Sequence, residues 1–217
     1  MQEQKENESG SMMLEIIAVL AILAIMTPIV YQQSLKRSRE VSNVNMADEM
    51  RSVKNAVKAY LDANLAALTA SDGVCGSVED ADAGECELND EDEGVIGKIY
   101  DFLPEGQNVC FNGIGCEDNY SEYEMTLLKY TQEYTNSDNE TITVPKLFAV
   151  LSSYQQPAKL NRVRAMKIAS LIGSAGGICK KDTEGITGSY GGWELNKSYS
   201  CQSGDDVDWT VVVRTDM

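Results

Sequence analysis

Residues 10–31 read GSMMLEIIAVLAILAIMTPIVY. From position 14 to 31 only Glu15, Thr27 and Pro28 interrupt an apolar run of eighteen residues. As a helix, that run is roughly 27 Å long, close to the hydrocarbon thickness of a bilayer. The stretch predicts a helix that is apolar all round, which only lipid or a bundle of like helices can cover. One carboxylate, Glu15, lies near its start. An ionised acid costs about 2.5–3.5 kcal/mol at the centre of a membrane helix. Glu15 therefore calls for a cationic partner, or for a place at the helix end, where it meets the headgroups or the positive pole of the helix dipole. Pro28 removes the backbone bond to the carbonyl of Ala24 and predicts a kink or a loosened turn.

Working towards the C-terminus, the helical signal continues through residues 41–70. Apolar residues stand at Val41, Val44, Met46, Met50, Val53, Val57, Leu61, Leu65 and Leu68, with Tyr60 widening the stripe. From Met46 onward they recur at steps of three and four, the spacing of one helix face. Asp48, Arg51, Lys54, Asn55, Lys58 and Asp62 fall on the other side. One helix over residues 11–70, about 90 Å long, is thus predicted to be apolar in its first half (14–31) and amphipathic in its second (41–70).

The chain has 217 residues, enough for such a helix and one further domain over 71–217. Net charge is −16, from 34 acidic and 18 basic residues. That balance argues against a nucleic-acid groove. No histidine is present, which removes the commonest general base and metal ligand. All six cysteines, Cys75, Cys86, Cys110, Cys116, Cys179 and Cys201, follow the apolar run. Their even number predicts three disulfides in an oxidising compartment, while spacing leaves fifteen connectivities open. Sequential pairing is expected: Cys75–Cys86, Cys110–Cys116 and Cys179–Cys201. No C-x-x-C pair favours zinc.

Residues 71–94 are rich in glycine and acid and lack the full positions of a calcium loop. Residues 95–103 predict a short helix or buried turn. Residues 120–134 carry Tyr120, Tyr123, Tyr130 and Tyr134, which could form a stripe on a helix serving as core packing or as a binding surface. Residues 145–154 and 157–172 each begin with proline and predict helices; in the second, Leu160, Val163, Met166, Leu171 and Ile172 approximate one face, and Gly173, Gly176 and Gly177 end it. Residues 193–200 and 207–215 are aromatic and β-branched and predict antiparallel strands, with turns at Gly185, Gly188, Gly191 and Gly192. The expected fold class is α+β: a long N-terminal helix and a disulfide-bonded domain with a small antiparallel sheet and extra helices.

The Gly10-Ser11…Glu15 spacing and the apolar run after it resemble the N-terminal signal of type IV pilins and the related type II secretion pseudopilins. In that family a peptidase cuts after the glycine, methylates the new N-terminus, and leaves a glutamate fifth in the mature chain. The resemblance implies cleavage of residues 1–10 between Gly10 and Ser11, N-methylation of Ser11, and pairing of Glu15 with the amine of a neighbouring subunit. It also implies a spine helix bearing a globular head, with Cys179–Cys201 closing a C-terminal loop. The precursor would wait in a bacterial inner membrane and then enter an extracellular pilus or a periplasmic pseudopilus. Partners would be other pilin subunits and the prepilin peptidase. Ser11 stands where Phe or Met is commoner in the family, and the leader MQEQKENESG is acidic rather than basic. Lys36, Arg37 and Arg39 after the run would by the positive-inside rule favour a cytoplasmic C-terminal side; the cysteines and acidic domain favour an external one.

Other classes are a single-pass anchor carrying an acidic binding domain that does not polymerise, and, more remotely, an extracytoplasmic enzyme. A cleaved secretory signal is disfavoured, because no A-x-A pattern follows the run. No nucleophile–base set, phosphate loop or metal cluster is evident, so neither catalysis nor a cofactor is expected. Asn119, Asn139 and Asn196 open N-x-Ser/Thr tripeptides, a frequent chance pattern.

Overall fold

The computed structural model describes residues 3–76, 84–86, 88, 93–153, 160–180, 184–190, 194–200 and 208–215. Two compact units emerge, Met1–Asn43 and Val44–Met217. The first is helical throughout its described residues. Helix α1, Glu3–Leu68, runs through it and on into the second unit, with Pro28 inside the helix. No break in helical assignment occurs at Pro28. Its missing N–H leaves the Ala24 carbonyl without its usual donor, and the neighbouring Thr27 hydroxyl donates to the Leu23 carbonyl at 2.6 Å.

In the second unit, α1 is followed by β1 (Gly84–Cys86), α2 (Glu93–Ile99), a 3-10 turn (Tyr100–Phe102), β2 (Val109–Phe111), β3 (Ser121–Thr135), β4 (Thr141–Ser153), α3 (Arg162–Ile172), β5 (Gly176–Lys180), β6 (Glu184–Gly188), β7 (Glu194–Ser200) and β8 (Trp209–Arg214). The strands make one eight-stranded sheet in the order β1-β3-β4-β8-β5-β6-β7, with β2 also on β3. Pairing is antiparallel except for β2 on β3. An antiparallel sheet beside helices was expected, but not one of this size.

The difference lies mainly in two segments. Residues 120–134 and 145–154, read as a helical tyrosine stripe and a helix, instead form the long hairpin β3–β4. Its register runs from Tyr123↔Ser153 to Thr135↔Thr141. Apolar residues crowd this hairpin on both strand faces, which hides the alternation. Tyr123, Met125, Leu127, Ala149 and Leu151 enter the main core, while Leu128, Phe148 and Val150 enter a second cluster with Cys179, Ile186 and Val212. Pro145 is tolerated because β8 covers β4 only at Val150–Ser152. At the tip the Asn136 carbonyl accepts from Asn139 N–H at 3.1 Å, and Asn139 takes the left-handed position with φ 65°. Asparagine thus fills the place glycine usually takes in a three-residue hairpin loop.

The amphipathic half of α1 lies against the main core face of the sheet through Ala47, Met50, Val53, Val57, Tyr60, Leu61 and Leu68. This agrees with the stripe from Met46 onward, but Val41 and Val44 are exposed. Helix α3 packs into the same core through Ala165, Ile168, Ala169 and Ile172. Asn161 caps its start, the side chain accepting from Arg164 N–H at 2.9 Å; residues 157–159 of the expected helix lie outside the described residues. Val163, placed on the apolar face by spacing, is 80% exposed. The true face is built on alanines, which allow close approach. A Cβ on Gly176, the first residue of β5, would stand 2.2 Å from the Ala169 carbonyl oxygen. Gly176 and Gly177 are therefore strand residues, and Gly173 alone ends the helix, at φ 104°. Gly185 and Gly188, expected in turns, belong to β6.

Disulfides join Cys75 to Cys86 and Cys110 to Cys116, as expected. Cys179 is also disulfide-bonded; Cys201 lies outside the described residues. Asn112, at φ 53°, stands between the short strands β2 and β1 on the same edge of β3. Its carboxamide accepts from Met125 N–H at 2.7 Å and donates to Met125 O at 3.2 Å, so a side chain continues the ladder where no strand runs.

Candidate functional site

The feature of the first unit is an apolar helix that no described residue buries. From Met13 through Val41 every residue is exposed. The best 18-residue window has a mean hydropathy of 2.5, and none of it is buried. Its large apolar side chains are 52–71% exposed between Met13 and Tyr31. At ~1.5 kcal/mol each, leaving the thirteen of them in water would cost on the order of 20 kcal/mol. That exceeds the whole stability of an ordinary domain, about 5–15 kcal/mol. Something else must cover this helix, and it is long and apolar enough to cross a membrane.

Helix geometry sets out the remaining groups. Gly10 and Ser11 lie on the α1 backbone, and Glu15 follows one turn on from Ser11, exposed among apolar neighbours. Lys36, Arg37 and Arg39 come after the apolar run, also exposed. The helix thus carries, in order, the Gly10–Ser11 pair, one acid within the apolar run, the run itself and three cations after it.

Two open clefts lie among the described residues of the second unit, and the described lining of neither makes a complete reactive set. One, of about 340 Å³, is lined by Glu85, Asn112, Glu122, Glu124 and Thr126. Burial pushes the Glu124 carboxyl above its usual range; the Ser152 hydroxyl, donating at 3.3 Å, opposes this, and Glu85 adds to it. The other, of about 560 Å³, is lined by Tyr100, Asp101, Pro104, Gln107 and Tyr120. Among the described residues no group of three or more His, Cys, Asp or Glu is placed to hold a metal ion.

Two long-range polar contacts had no sequence signal. Tyr123 donates its hydroxyl to Glu49 at 2.9 Å, tying β3 to α1. Burial, then the Glu49 charge, push this phenol far above its ordinary value. Arg51 reaches from α1 to the C-terminus of α3, its Nε donating to Ile172 O at 3.3 Å and its Nη2 to Leu171 O. Only the folded chain brings Tyr123 to the Glu49 carboxylate and Arg51 to the α3 carbonyls. Comparison of the chain with protein-family models, with curated proteins and with solved structures gives no match.

Proposed function

We propose that the protein is a type IV pilin-like subunit, made as a precursor and polymerised through its N-terminal helix into a filament for adhesion, motility or a related surface role. A pseudopilus of type II secretion, or a minor place in a pilus, is served by the same signal. The observation that carries the reading is a wholly exposed apolar helix with a single carboxylate, Glu15, one turn after the Gly10–Ser11 junction. Lipid covers such a helix before assembly, and the helices of sister subunits cover it afterwards. Cleavage at Gly10–Ser11 frees a cation in the apolar zone, and Glu15 of the neighbour neutralises it, so the cost of a buried acid becomes a device that sets the step between subunits. Disulfides in the second unit suit an external compartment.

The test is the N-terminus of the protein from its own cells, read by mass spectrometry beside electron microscopy of the cell surface. N-methylated Ser11 together with fibres containing this chain is the expected result. Glu15→Val should insert in the membrane at normal abundance and be lost from fibres. The cationic Lys36, Arg37 and Arg39 favour a second reading, a plain single-pass anchor for an acidic binding domain. An intact Met1 and no fibres would select it.

A further inference from the structure

We propose that Asn119 is an N-glycosylation acceptor, its side-chain amide taking an oligosaccharide from a lipid-diphosphate donor. In this transfer a bond forms between Asn119 Nδ2 and C1 of the first sugar. The bond from C1 to the phosphate oxygen breaks, the lipid diphosphate leaves, and one amide proton passes to base. An amide nitrogen is a weak nucleophile, because its lone pair is shared with the carbonyl. A transferase must therefore grip the backbone on both sides of the asparagine, with the hydroxyl two residues on held in place. The acceptor must be exposed, unengaged, and set where the chain can bend out.

The sequence holds four N-x-Ser/Thr tripeptides, at Asn7, Asn119, Asn139 and Asn196. Asn7 precedes the apolar run, and of the three in the second unit one meets these conditions. Glu117, Asp118 and Asn119 are all exposed, on a turn in which Tyr120 N–H donates to Glu117 O at 2.9 Å. The Asn119 side chain has no hydrogen bond among the described residues. The turn lies between the Cys110–Cys116 bridge and the start of β3. Bending it out therefore releases only the first β3 position, where Ser121 pairs with Val109 and its N–H donates to Asn108 O at 2.9 Å, whereas Asn196 stands in mid-strand. Ser121, the hydroxyl-bearing residue, is the first residue of β3 and only half-buried. Glu117, two residues before the acceptor, adds an anion by which a basic transferase groove can hold the segment.

Asn139 is exposed as well, but its loop is knitted shut. The Asn136 carboxamide accepts from Asp138 N–H at 2.9 Å and Glu140 N–H at 2.8 Å, and Asn136 N–H donates to Glu140 O at 2.9 Å. Asn196 lies inside strand β7, where leaving the ladder would break pairing with β6. The inference does not rest on the filament reading. It requires only that residues 44–217 face a compartment with the donor, as the disulfides suggest.

The experiment is mass spectrometry of tryptic peptide 99–129 from the protein purified from its own cells. That peptide holds the Asn119 tripeptide and none of the other three. The expected result is a peptide heavier by the mass of a glycan, with the increment abolished in Asn119→Gln and retained in Asn139→Gln. Native peptide at its unmodified mass overturns the proposal. So does an increment that survives Asn119→Gln or disappears in Asn139→Gln.

Discussion

Replacing Arg51 by methionine should destabilise the second unit by about 2 kcal/mol, although Arg51 lies on the exposed side of its own helix. Helix α3 has no basic residue in its last turn. Its final carbonyls, Leu171 and Ile172, instead receive the guanidinium of Arg51 from α1. Each bond from a charged donor is worth about 1.5–3 kcal/mol when desolvated. The Arg51 side chain is 46% exposed, so solvent screening brings the pair of bonds to about 1–2 kcal/mol. A cation at a helix C-terminus adds about 0.3–1 kcal/mol. Methionine preserves much of the stem and none of the charge. For a unit of this size, 2 kcal/mol corresponds to a fall of about 4–8 °C in Tm. The assay is guanidinium chloride unfolding of the detergent-solubilised full chain, followed by tryptophan fluorescence. Arg51→Lys keeps the charge but loses the fork, and should lose about half as much. Asp48→Asn removes only the exposed i,i+3 pair at 2.8 Å and should cost under about 0.5 kcal/mol. An unchanged midpoint for Arg51→Met, or an equal loss for Asp48→Asn, would refute the capping argument.

Three further outcomes are expected. Tyr123→Phe should lose about 1–2 kcal/mol, because the Glu49 carboxylate loses its donor. Since folding raises the Tyr123 pKa above the ordinary tyrosine value, wild-type stability should fall as pH rises beyond about 10, and the phenylalanine variant should show a shallower fall in unfolding midpoints across that range. Glu124 is also raised in the folded state, so its contribution is present below the ordinary glutamate pKa and lost as pH rises through the raised one. Glu124→Gln should therefore raise the unfolding midpoint at pH 7 relative to wild type and leave it nearly unchanged at pH 4. Replacing both Cys75 and Cys86, 11 residues apart, by serine should cost about 3 kcal/mol by loop entropy, read as a lower Tm under non-reducing conditions.

The long helix that carries the candidate site was legible in the sequence because its signals are local. A helix bonds each residue to one four positions away, so apolarity on all sides of residues 14–31 and the stripe from Met46 to Leu68 appear as spacing. The bridges at separations of 11 and 6 residues join nearest cysteines for the same reason. The β3–β4 hairpin was not legible. With both strand faces buried, Leu127 and Leu128 are adjacent yet serve different clusters, and no alternation survives to be read. Helix α3 misled in the opposite way: its buried face rests on Ala165 and Ala169, too small to weigh in a hydropathy pattern, while Val163 points to solvent.

By itself, then, the sequence determined that a bare apolar helix needs a cover from outside the chain, and where its one acid lies. Tertiary structure alone decided that eight strands would form one sheet, that Arg51 would close a helix 120 residues away, and that the Tyr123 phenol would meet Glu49. Strand pairing and side-chain caps join residues far apart in the chain. Their free energy comes from desolvated contacts that exist only after the backbone has been brought together, and no local period records them.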